Sequence, residues 1–139
     1  MRTTIAKAAS FTFALLALIM VSTSFQLADV LGPWEKLGAR KVDRKADHDF
    51  IKVTAKEGNF KSIKLLVRHS GINMDRCVVH FANGEKQEIN IRENIPAGGE
   101  TRVIDLDGRD RFIQGVGFWY DTKGGAFNDK AVVELWGRH

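Results

Sequence analysis

Asp105, Asp107 and Asp110 bring three carboxylates to one sharp turn at Gly108, the kind of oxygen-rich bend a hard cation such as calcium requires. The match is partial, because the distal bidentate Glu and the other oxygen ligands of a calcium loop are missing, so Asp107-Gly108 reads first as a hairpin turn. Calcium is the one cofactor the pattern admits. Trp119 and Trp136, with Arg109 and Arg111 beside the turn, are the candidates for binding, since indoles on an outer sheet face with polar neighbours hold sugar rings or partner proteins. Nucleophilic chemistry finds less. Cys77 and His80 are an odd number of residues apart, which on a strand sends them to opposite faces, and Ser62 and Ser70 lack a Gly-x-Ser-x-Gly elbow. His48, His69, His80 and His139 lack the short spacings of a zinc site.

These residues hang on the stretch Asp105 to Asp121, DLDGRDRFIQGVGFWYD, in which the turn feeds an aromatic-rich alternating segment. Period two places Phe112, Val116, Phe118 and Tyr120 on a core face, and Arg111, Ile113, Gly115, Gly117 and Trp119 on the other. Two glycines there leave bare backbone beside an indole. An aromatic from a neighbouring strand, for instance Trp136 or Phe127, is expected to cover it, and the alternative is a shallow ligand platform around Trp119.

The rest of the chain alternates in the same way. Trp34 to Val42 predicts a strand with a bulge at Gly38, and Phe50 to Ala55 a second with Ile51, Val53 and Ala55 inward. Phe60 to His69 turns Ile63, Leu65 and Val67 to the core, and Ile72 to Phe81 turns Cys77, Val79 and Phe81. Asn83-Gly84 between VVHFA and EKQEINI predicts a two-residue type I′ hairpin. Glu88 to Arg92, Thr101 to Leu106 and Ala131 to Trp136 complete about eight short strands, with Ile89, Ile91, Ala131, Val133 and Leu135 inward. Turns every ten residues or so and the absence of helical period predict an all-β antiparallel sandwich, with a barrel as the alternative.

Residues 1–24 combine Arg2 and Lys7, an apolar run from Ala8 to Val21, and small Ser22 and Ser24, the pattern of a signal peptide cleaved after Ser24. Residues 25–33 read as a linker and 34–139 as a single domain, periplasmic or secreted. Cleavage removes two of 21 basic residues against 17 acidic ones, so the net charge falls from +4 to about +2. That balance, with export, argues against nucleic acid. Cys77 is the single cysteine, so no internal disulfide forms, and its neighbours Val78 and Val79 predict a buried thiol.

The ordered motifs Trp34-Glu35-x-Leu37-Gly38-x-Arg40-x-Val42, Asp47-x-Asp49-x-Ile51-x-Val53, Asp105-Leu106-x-Gly108-x-x-Arg111-x-Ile113 and Val133-Glu134-x-Trp136-Gly137 resemble the YaaI-like family of small exported bacterial proteins, a domain of unknown function. The resemblance implies a secreted or periplasmic all-β domain and supplies no reaction and no site residues. The residues point to a non-catalytic envelope module that binds a glycan or protein partner. The alternatives are a self-associating structural subunit and, third, a hydrolase with an unrecognised site.

Overall fold

A computed structural model describes residues 32–42, 46–54, 58–121 and 131–139, and the compact unit they build runs from Pro33 to His139. The described residues form nine strands and no helix: β1 (Glu35–Lys41), β2 (His48–Lys52), β3 (Asn59–Phe60), β4 (Ser62–Arg68), β5 (Ile72–Phe81), β6 (Lys86–Ile95), β7 (Ile104–Asp105), β8 (Arg111–Asp121) and β9 (Val132–Arg138). The expected leader, Ala55, Phe127 and the Lys123-Gly124-Gly125 loop lie outside the described residues.

Two antiparallel sheets, ordered β1-β9-β4-β7 and β2-β8-β5-β6, face each other as a sandwich, so the barrel alternative does not apply. Period-two alternation decides which side chains meet between them. Ile63, Leu65 and Val67 of β4 and Val133 and Leu135 of β9 are wholly buried, as are Cys77, Val79, Val116 and Phe118 from the opposing sheet. Removing each such aliphatic or aromatic side chain from water contributes about 2 kcal/mol. The predicted Phe60 to His69 strand is two strands. Asn59 and Phe60 pair with β8, whereas Ser62 onward pairs with β9, so the chain changes sheets at Lys61.

Bulges account for the departures from simple alternation. In β1 the register shifts between Lys36 and Gly38, as the glycine predicted, and a Cβ at Gly38 would lie 2.7 Å from Ile51 Cγ2. In β8, His80 pairs with Gly115 but Phe81 with Ile113, leaving Gln114 as an extra residue that flips the parity before it. Ile113 is therefore buried, and Phe112, expected in the core, is 54% exposed.

The Asn83-Gly84 hairpin is present, with a different turn. Gly84 N donates to Phe81 O and Phe81 N to Glu85 O, closing a three-residue loop in which Gly84 (φ 91) is left-handed and Asn83 is not. This is a type I turn with a glycine bulge. The Asn83 side chain favours it by accepting from Glu85 N at 3.0 Å.

Side chains sew both open sides of the sandwich. At the β1 and β2 side, Asp49 accepts from Arg40 Nε (3.2 Å) and from Tyr120 Oη (2.8 Å). At the β6 and β7 side, the Gln87 amide donates to Asp105 O (3.1 Å) and accepts from Asp107 N (2.8 Å). Arg102 Nη2 donates to Asn90 O at 2.6 Å, so the long edge strand β6 carries a charged side chain on its backbone. Such edges discourage open-ended strand pairing.

Candidate functional site

The outer face of the second sheet is built in three rows. Register places His48, Trp119 and Arg76 side by side, then Phe50, Gly117 and Val78, then Lys52, Gly115 and His80. The two glycines in the middle strand form a floor. A Cβ at Gly115 would lie 2.2 Å from Phe50 Cζ, and one at Gly117 would lie 3.5 Å from Trp119 Cζ3 and 3.7 Å from Phe50 Cδ2. An aromatic from a neighbouring strand thus covers the gap, as expected, and it is Phe50 of β2 rather than Trp136, which stands on the other sheet. The Phe50 ring meets His80 edge-on at 5.4 Å and stays 42% exposed.

Trp119 is half-buried, stacks on His48 at 5.7 Å with planes 19° apart, and carries the Arg76 guanidinium 3.8 Å above its ring. A cation already occupies one indole face, so Phe50 is the more open ring and Trp119 a wall beside it. An open cleft of about 470 Å³ adjoins the indole, lined in part by Asp47, Asn73, Asp75, Arg92 and Asp121. His48 Nδ1, 2.9 Å from Asp47 Oδ1, holds that carboxyl below its usual range through the hydrogen bond. Rings beside carboxylate and amide side chains can stack on the apolar face of a sugar and bond its hydroxyls.

The other candidates stand elsewhere. Arg111 is only 16% exposed and joins two turns: Nη1 donates to Asp107 O (2.8 Å), Nη2 to Asn83 Oδ1 (3.2 Å) and Glu85 Oε1 (3.2 Å), and its guanidinium lies 3.8 Å from the Phe81 ring centre. Arg109 is exposed in the middle of three successive left-handed residues, Gly108, Arg109 and Asp110. Among the calcium candidates, Asp105 Oδ1 accepts from Ser62 Oγ at 3.0 Å. No group of three or more His, Cys, Asp or Glu side chains among the described residues is placed to share a metal ion.

Trp136 lies on the opposite sheet, apart from Trp119. Its Nε1 donates to Glu134 Oε1 at 3.1 Å, and Glu134 also takes Lys36 Nζ at 2.8 Å and Arg68 Nε at 3.0 Å. Burial raises the pKa of this carboxyl, but those three donors outweigh it and hold it at about 2. Cys77 is fully buried, and desolvation pushes its thiol up to about 12, which keeps it out of nucleophilic chemistry. His80 turns outward to Phe50.

Phe50, His48 and Arg76 were missed as site residues. The signal for Phe50 was available: with Ile51 and Val53 inward, it had to point outward.

Fold and site define a two-sheet β-sandwich with rings laid on one glycine-floored sheet face. Within that class the chain belongs to the family described as Domain of unknown function (DUF2541), whose model matches residues 13–137. No curated protein matches the sequence. Among solved structures, it is similar to AlgX of Pseudomonas aeruginosa, at a TM-score of 0.51 and 12% identity over 73% of this chain. It spans only 26% of that AlgX chain, and the likeness is one of fold. A mutant of a family 29 carbohydrate-binding module gives a TM-score of 0.39 at 16% identity, covering 76% of this chain and 80% of its own. A family 29 module complexed with cellulohexaose gives 0.40 at 14%, covering 78% and 92%.

Proposed function

We propose that this protein is a non-catalytic module of the bacterial cell envelope that binds a glycan chain on the outer face of its second sheet. One observation carries the reading: Gly115 and Gly117 make room for Phe50 and Trp119 to lie against the sheet, next to a cleft containing Asp47, Asn73, Asp75 and Asp121. Phe50 offers the open ring to a sugar face, Trp119 walls it, and the cleft supplies hydroxyl partners. A periplasmic or secreted address follows from the leader pattern of residues 1–24, and the motif order supports kinship with the YaaI-like exported proteins.

Tryptophan fluorescence against a panel of neutral envelope glycans tests this. A saturable change lost in Trp119→Phe is expected. A flat response across the panel, or a response that Trp119→Phe retains, contradicts it. Binding of an envelope protein with no glycan response would move the site to a protein partner.

A further inference from the structure

We propose that the outer face of the first sheet is a second binding surface, one that takes an acidic polysaccharide. The register of β9 between β1 and β4 sets a grid. Lys36 and Lys64 flank Trp136, Ala39 and Leu66 flank Glu134, and Lys41 and Arg68 flank or adjoin Val132. Four cations therefore stand at the corners of a rectangle centred on Glu134. Its Cα sides are roughly 10 Å across the strands and roughly 13 Å along them, from the standard spacings of a sheet.

Two diagonal corners reach the centre. Lys36 Nζ and Arg68 Nε both bond the Glu134 carboxylate, which is 5% exposed, yet their own side chains remain 47% and 48% exposed. A merely solvated face has no need of a buried carboxylate, because removing that charge from water is costly unless several donors meet it. Here the carboxylate fixes the geometry of two cations that still face solvent. Arg68 uses Nε alone, leaving its two Nη groups without a protein partner among the described residues. Lys41 is exposed and unpaired among the described residues, whereas Lys64 is committed to Glu100 at 3.1 Å and to the Trp34 ring at 4.5 Å.

The donors left free, Lys41 Nζ and the two Arg68 Nη groups, stand on either side of Val132, roughly 10 Å apart across the strands, with the half-exposed Lys36 beyond them, a spread of positive charge that suits a chain carrying a carboxylate on each unit. A bilayer is a poorer fit. None of the exposed large apolar side chains, Phe50, Val103 and Phe112, lies in this array, and Trp136 is half-buried with its N–H on Glu134. No apolar wedge is offered to lipid.

The test titrates the full chain with sodium polygalacturonate at low and raised salt, with dextran and phosphatidylglycerol vesicles as comparators. Polygalacturonate is expected to bind with an affinity that falls steeply with salt, and dextran to leave this face empty. Lys41→Gln, which breaks no contact among the described residues, should weaken binding about threefold, and Lys41→Gln with Arg68→Gln about tenfold or more. The Lys41→Gln loss should persist in a Trp119→Ala background, so failure of the glycan site on the other sheet would be seen separately. No binding at low salt, binding indifferent to salt or to Lys41→Gln, or preference for the vesicles each overturns the proposal. If the double variant does not fold, Lys41→Gln alone decides.

Discussion

The ring of Phe50 rests on the backbone of Gly115: a Cβ there would fall 2.2 Å from Phe50 Cζ and 2.7 Å from Ile51 O. Moving the ring would relieve the first clash, but the second is with strand backbone. Gly115→Ala is therefore expected to destabilise the fold by about 2 kcal/mol, with Phe50→Ala unable to rescue it fully. Chemical denaturation of the single and double variants measures this. A Gly115→Ala protein as stable as the parent would show that β2 does not lie as closely as described.

Glu134 makes acid sensitivity predictable in sign. Its folded pKa, about 2, lies below the ordinary 4.5, so its stabilising contribution is complete above pH 4.5 and is lost as the pH falls toward 2. Allowing for solvent around Lys36 and Arg68, that contribution is about 2 kcal/mol. Glu134→Gln should be less stable than the parent at neutral pH, and the gap should close between pH 4.5 and 2. Parallel pH-dependent melts check it; a gap that stays constant would remove Glu134 as the titrating group.

Arg111 should matter for stability and not for the glycan. Truncation loses its bonds to Asp107, Asn83 and Glu85 and its contact with Phe81, so Arg111→Ala is expected to cost about 2 kcal/mol. Arg111→Lys recovers only part of this, because an ammonium cannot make the same forked contacts. Glycan affinity should be unchanged in both. A loss of affinity without a loss of stability would make Arg111 a ligand contact.

Cys77 should resist thiol reagents in the folded protein, since burial both hides it and keeps it protonated. Disulfide-exchange labelling is expected to be negligible under native conditions and rapid in denaturant. Fast native labelling would show that the core opens at β5.

Alternation in β4, β5 and β9 makes the sandwich legible in the sequence, because Ile63, Leu65, Val67, Val79 and Leu135 each sit where period two puts them. Parity counting failed where one residue was added. The Gln114 bulge moved Phe112 outward; the strand glycines Gly115 and Gly117 are compatible with a bulge but equally with the close approach of Phe50, so they do not place it. The turn at Asn83 misled for a related reason: Asn-Gly suits both hairpin loops, and the side-chain bond to Glu85 N favours the longer one. At the candidate site, Trp119 was readable as an outward indole. Its partners were not, since pairing of His48 and Arg76 with it depends on which strands flank β8, and sequence spacing does not encode strand order.

The central claim is that Phe50 and Trp119 form a sugar-binding face. Isothermal titration of the tightest neutral oligosaccharide from the glycan panel into the parent protein, Phe50→Ala, Trp119→Ala and Trp136→Phe tests it most directly. Both ring truncations on the second sheet should weaken binding about tenfold or more with the fold intact, and Trp136→Phe should match the parent. Undiminished affinity in Phe50→Ala and Trp119→Ala, or a loss confined to Trp136→Phe, would contradict the account.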